Sequence, residues 1–131
     1  MKIFLDTNVW VSAFLAPGLC EELLFRCVNE GVALTSPLLW SELSAVLERK
    51  VAPSARAMQH AAFLRGLTAT IADVPEPAAD NDARLVAAAA AAGAQLFVTG
   101  DRRLIEWERS GAMRIVSPRQ AWVILFQPPG V

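Results

Sequence analysis

The chain is short of the side chains that most catalytic devices use. It holds one histidine, His60, and two lysines, Lys2 and Lys50; its other basic residues are arginines. His60 stands among Met58, Ala61 and Ala62, the setting of a packed or solvent-facing ring rather than a catalytic base. No glycine-rich phosphate loop occurs, since Ala16-Pro17-Gly18 reads as a turn. There is no excess of charge: 12 basic residues face 13 acidic ones, a formal net charge of -1. A global basic field is thereby excluded, and any nucleic-acid contact has to use a local patch. The two cysteines, Cys20 and Cys27, lie seven residues apart on one expected helix. That is a rise of about 10 Å, too far for a disulfide. They read as core thiols of a reducing compartment. No long hydrophobic run occurs either. The longest, Leu85 to Ala92, is alanine-rich and too short to span a bilayer. Asp6 interrupts the first apolar run at once, unlike a signal peptide. A cytoplasmic protein is expected.

What is present is a folding chain of 131 residues, 54% hydrophobic and only 19% charged. Its size suits one domain with a sizeable core. The expected limits are residues 1–126, with 127–131 as a C-terminal tail. Gly31, Gly66, Gly93 and Gly111 each close a helical pattern and precede an apolar strand pattern, as C′ glycine stops do. Strands are predicted at 2–5, 32–35, 67–71, 95–99 and 113–116. Helices are predicted at 8–15, 19–30, 37–50, 54–65, 82–92, 102–110 and 118–126. Strands alternating with helices imply an α/β chain with a parallel sheet covered on both faces.

Four acidic residues gain meaning from this pattern: Asp6, Glu42, Asp82 and Asp101. Asp6 follows Ile3-Phe4-Leu5, and Asp101 follows Leu96-Phe97-Val98-Thr99-Gly100. Both therefore stand at strand C-terminal ends, the edge where open α/β sheets hold ligands. Each aspartate also suits a helix N-cap, and capping is compatible with metal binding. Glu42 sits within the apolar stripe Leu38, Leu39, Leu43, Val46 and Leu47. A buried carboxylate there needs a partner, either a metal ion or a buried arginine. Asp80 precedes Asp82 by two residues, so an extended chain would point both the same way; it reads as a turn residue or a supporting acid. Gathered acids repel, and hard oxygen donors of this kind suit Mg²⁺ or Mn²⁺ rather than zinc.

The set Leu5-Asp6-Thr7-Asn8, Ser41-Glu42-Leu43, Asp82 ahead of Leu85 and the alanine helix, and Val98-Thr99-Gly100-Asp101 resembles the PIN-domain ribonucleases. It is most similar to the small bacterial PIN proteins that act as toxins of toxin–antitoxin pairs. The likeness runs to the closing Arg114-Ile115-Val116-Ser117-Pro118. It implies an α/β/α sandwich around a five-stranded parallel sheet, Mg²⁺ or Mn²⁺ held by the acids, and single-stranded RNA as substrate. It also implies a cognate antitoxin and a homodimer, for which apolar positions near 19–30 and 54–65 would serve. Asp6, Glu42, Asp82 and Asp101 match the family's catalytic and metal positions. Thr7, Asn8 and Thr99 match its accompanying polar positions. Asn81 departs from the denser acidic run of some relatives, which leaves Asp80's role and the number of metals open.

On this reading the acids hold one or two ions that activate water against an RNA phosphodiester. Asn8 and Thr99 orient ligands or water. Arg102 and Arg103 either reach RNA phosphates or stand solvated in a first helical turn. Of the tryptophans, one exposed ring would suffice to stack on a base. Two rivals differ in residues. An aspartate-based phosphatase needs a second aspartate near Asp6 and a late lysine, whereas this chain has Asn8 and no lysine after Lys50. A catalytically silent RNA-binding or scaffold module need not keep four acids.

Overall fold

The computed structural model describes residues 1–127 of the chain. Its strands are β1 (Ile3–Leu5), β2 (Ala33–Thr35), β3 (Ala69–Thr70), β4 (Leu96–Val98), β5 (Arg109–Ser110) and β6 (Met113–Val116). Its helices are α1 (Thr7–Leu15), α2 (Leu19–Asn29), α3 (Pro37–Lys50), α4 (Ser54–Gly66), α5 (Asn81–Ala91), α6 (Arg102–Ile105) and α7 (Pro118–Phe126). Of the expected tail, residues 128–131 lie outside the described residues.

The strands form one sheet in the order β3-β2-β1-β4-β6-β5. All neighbours are parallel except β5 and β6. Every residue of β1, β2 and β4 is buried. Successive strand residues point to opposite faces, so unbroken burial means that helices cover both faces, giving a three-layer sandwich. Phe4 and Phe97 are register partners on β1 and β4, and their rings stack at 5.3 Å. The α3 stripe Leu39, Leu43 and Leu47 is fully buried, while Leu38 and Val46 flank it half-buried. Both cysteines are free, and burial pushes the Cys27 thiol up to about 12.

The sheet has six strands where five parallel ones were expected, and the difference lies at one edge. The predicted helix 102–110 stops at Ile105. Glu108 takes φ +65, which no α-helix admits, and the chain turns back as a hairpin. Arg109 pairs with Arg114 and Ser110 with Met113, so the loop is Gly111-Ala112. Gly111 has φ +60 at the first loop position, where a two-residue hairpin turn calls for glycine. Gly111 is therefore a hairpin residue and not a helix stop. Gly66 is likewise the last residue of α4. Gly31 and Gly93 do end helices with positive φ.

The sheet order positions the site. From β1 the chain moves outward through β2 and β3, then returns to lay β4 on the other side of β1. The β1/β4 junction is therefore the topological switch point, where flanking loops part and leave a crevice. Asp6 ends β1 there, and Thr99-Gly100-Asp101 ends β4.

Candidate active site

Asp6 is almost wholly enclosed, at 3% exposure. Its Oδ1 accepts the Thr7 backbone N–H at 2.8 Å, making it the N-cap of α1. Its Oδ2 accepts the Thr99 hydroxyl at 2.8 Å and the Asn8 amide Nδ2 at 3.2 Å. Burial pushes its carboxyl from the ordinary 3.8 up to about 6; the Thr99 and Thr7 hydrogen bonds oppose this, and the charges of Asp82 and Glu42 add to it.

The Thr99 hydroxyl is used completely. It donates to Asp6 and accepts from the Asp101 backbone N–H at 3.0 Å and from Asn8 Nδ2 at 3.2 Å. Asn8 Oδ1 accepts the Gly100 N–H at 2.8 Å. Asn8 and Thr99 thus lock the end of β4 to the end of β1. Thr99→Val keeps the shape and leaves one oxygen of Asp6 and the Asp101 N–H short of a partner. We expect a loss of about 1.5–3 kcal/mol in urea unfolding at pH 8, where Asp6 is ionised. At pH 5 the loss should shrink, because a protonated Asp6 needs the hydroxyl less.

Glu42 lies half-buried on α3, at the margin of the apolar stripe rather than inside it. Its Oε1 accepts the Thr7 hydroxyl at 2.9 Å, and its Oε2 accepts Asn81 Nδ2 at 3.4 Å. Among the described residues no arginine pairs with it, so the buried-arginine alternative fails. Asn81, read in the sequence only as a missing acid, is one of its two neighbours.

Asp80, not Asp82, caps α5, accepting the Ala83 N–H at 3.0 Å. Asp82 belongs to the helix's first turn. Its carboxyl is pushed up by burial first and then by the charge of Asp101. Asp101 caps α6 through the Arg103 N–H at 2.9 Å. The Arg103 side chain lies on the acids: Nη2 donates to Asp82 Oδ2 at 3.0 Å, and Nη1 stands 3.9 Å from Asp80 Oδ2. Arg102 is exposed beside it.

A groove of about 520 Å³ brings three of the four acids to one opening, while Asp101, Asp80 and Arg103 are not among its lining residues. It is lined by Asp6, Thr7, Glu42 and Asp82 at one end and by Arg49 and Lys50 at the other. Arg49 was not among the site residues expected from the sequence. The signal was there, since Arg49 follows Glu42 by seven residues, two helical turns on one face. His60 is remote from this groove and contacts the rings of Phe14 and Phe25. Trp107 is the most exposed tryptophan, at 43%.

The donors are hard carboxylate oxygens, two of them, Asp6 and Asp82, with pKa values raised by burial and then by the charge of neighbouring carboxylates, which fits a divalent cation of the Mg²⁺ type. Among the described residues, no three acids already stand in ligating geometry. The outer pair is held instead by Arg103.

The sequence matches the PIN domain family over residues 2–103, a span that contains β1, α3, α5 and all four acids. The chain belongs to the PIN-domain family. PIN domains are in general nucleases that use divalent metal ions. Among solved structures, VapBC2 from Rickettsia felis, crystallised bound to a DNA fragment from its promoter, matches this PIN domain with a TM-score of 0.66. The identity is 16%, over 89% of this chain and 98% of that one. At that identity the likeness speaks for the fold alone. No curated protein matches the sequence. Among the described residues, no helix of this PIN domain is long and apolar enough to cross a membrane.

Proposed function

We propose that this PIN domain is a Mg²⁺- or Mn²⁺-dependent endoribonuclease acting on single-stranded RNA. The observation that carries the reading is the groove itself, with Asp6, Glu42 and Asp82 lining one end and Arg49 and Lys50 the other. Acids suit a metal, basic side chains suit a phosphate backbone, and one opening holds both. Asp6, Glu42, Asp82 and Asp101 would hold the ion. When bound it supplies a hydroxide at neutral pH and charge for the leaving oxygen. Thr7 fixes Asp6 through its N–H and Glu42 through its hydroxyl, so these two acids keep their spacing. Thr99 and Asn8 hold Asp6 in orientation and bring Asp101 up beside it. Arg49 and Lys50 would take the RNA backbone along the groove.

We assign the protein to the toxin side of a toxin–antitoxin pair, a reading supported by the fold it shares with VapBC2. A cavity of about 410 Å³ lined by Phe25, Val28, His60, Leu64 and Leu67 opens between α2 and α4. Leu67 is exposed there at 53%, and Phe63, also on α4 but not a lining residue, at 66%. This face is the one we assign to a protein partner, a second copy or an antitoxin.

The test is direct. Purified protein with Mn²⁺ should cut single-stranded RNA, leave DNA of matched sequence largely intact, and stop in EDTA. Cleavage that survives EDTA would exclude the metal reading. Mn²⁺ binding without cleavage would favour a silent binding module.

A further inference from the structure

Arg103 touches three of the site's acids at once. Its guanidinium spans Asp82 at 3.0 Å and Asp80 at 3.9 Å, and its backbone N–H is held by Asp101 at 2.9 Å. Asp80 and Asp82 come from the start of α5, Asp101 and Arg103 from the start of α6. Arg103 is thus the cation that joins these two helix starts across the crevice.

The join is weak. The side chains of Arg103, Asp80 and Asp82 are 54%, 38% and 42% exposed. Ion pairs this open shift an equilibrium by about fivefold at most. A doubly charged ion with oxygen ligands at short range outcompetes such a pair. The planar guanidinium, once released, has five donors in a fork that matches a phosphate.

We propose that Arg103 is a displaceable counter-ion. It holds Asp80 and Asp82 in place before the metal arrives, yields Asp82 to the metal, and then grips the phosphate of the bound RNA. Arg103 is a positioning residue in the first state and a substrate contact in the second. The inference rests on the metal-dependent nuclease reading and deepens it by giving the residue two successive partners.

The roles predict opposite signs for one substitution. In Arg103→Gln the competitor for Asp82 is gone, so Mn²⁺ measured by titration calorimetry on RNA-free protein should bind about three- to fivefold tighter. The phosphate contact is gone too, so KM for single-stranded RNA should rise about tenfold. Arg103→Lys keeps the charge and loses the fork; it should return Mn²⁺ affinity to the wild-type value while KM stays raised. A residue that merely supported the loop would weaken metal and RNA together. Mn²⁺ binding equal to or weaker than wild type in Arg103→Gln overturns the proposal and leaves the nuclease reading standing. If neither protein binds Mn²⁺, the nuclease reading falls and this inference with it.

Discussion

Glu42→Gln should leave the metal-free protein within about 1 kcal/mol of wild-type stability and lower RNA cleavage by at least about 100-fold. The expectation comes from what the carboxylate touches. Thr7 donates to one oxygen and Asn81 to the other. Glutamine keeps an oxygen for Thr7, and the exposed Asn81 amide can turn to offer its own oxygen to the new NH₂. No cation is stranded, because no arginine is paired there among the described residues. Had one been, the same change would cost about 3–5 kcal/mol. The charge that attracts a metal does disappear. Chemical unfolding and a Mn²⁺ titration on the same variant separate the outcomes. A stability loss above about 3 kcal/mol with metal binding intact would remove Glu42 from the ligand set.

Proton and metal should compete for Asp6, each stabilising the fold in its own pH range. Burial holds its carboxyl at about 6 against the ordinary 3.8. Between those values the folded chain binds the proton more tightly than the unfolded one. This group's contribution is therefore fully present below pH 3.8, declines as pH rises, and is gone above about pH 6. A shift of this size corresponds to about 3 kcal/mol. A divalent ion needs the ionised carboxylate, so its stabilisation grows over the same range. At pH 7.5, Mn²⁺ at 100 times its Kd should add about 2.7 kcal/mol, and the same total Mn²⁺ at pH 5 should add little. Thermal unfolding with and without Mn²⁺ at both pH values measures this. Equal stabilisation at pH 5 and 7.5 would mean that the ion binds away from Asp6.

The acids at strand ends were legible because their signals are local. Ile3-Phe4-Leu5 and Leu96-Phe97-Val98 are short apolar runs, and the polar residue that ends each run marks the sheet edge. Glu42 was legible as an anomaly in a 3.6-residue pattern, but its environment was not. The stripe's periodicity places it beside the core, whereas the opening between α1, α3 and α5 leaves it half-exposed and within reach of Thr7 and Asn81. Residues 102–110 misled for a related reason. Leu104, Ile105 and Trp107 fit helical spacing, yet pairing with β6 recruits Arg109 and Ser110 into the sheet, and a non-glycine residue at φ +65 accepts the strain.

Arg103 shows where sequence reading reaches its end. Its position after Asp101 is compatible with solvent, with RNA or with an acid. The choice among them depends on Asp80 and Asp82, about twenty residues earlier, arriving on the opposite lip of the crevice. Outside residues 102–110, local composition decided which stretches became strands and helices and that their ends carry acids, because burial period, caps and turns act over a few neighbouring residues. The partnerships among those ends were settled by sheet order. Asp6 and Thr99 lie 93 residues apart and share a 2.8 Å hydrogen bond only because β4 returns to the free side of β1. Side-chain contacts act over about 3 Å, so no separation along the chain could reveal which groups would meet there.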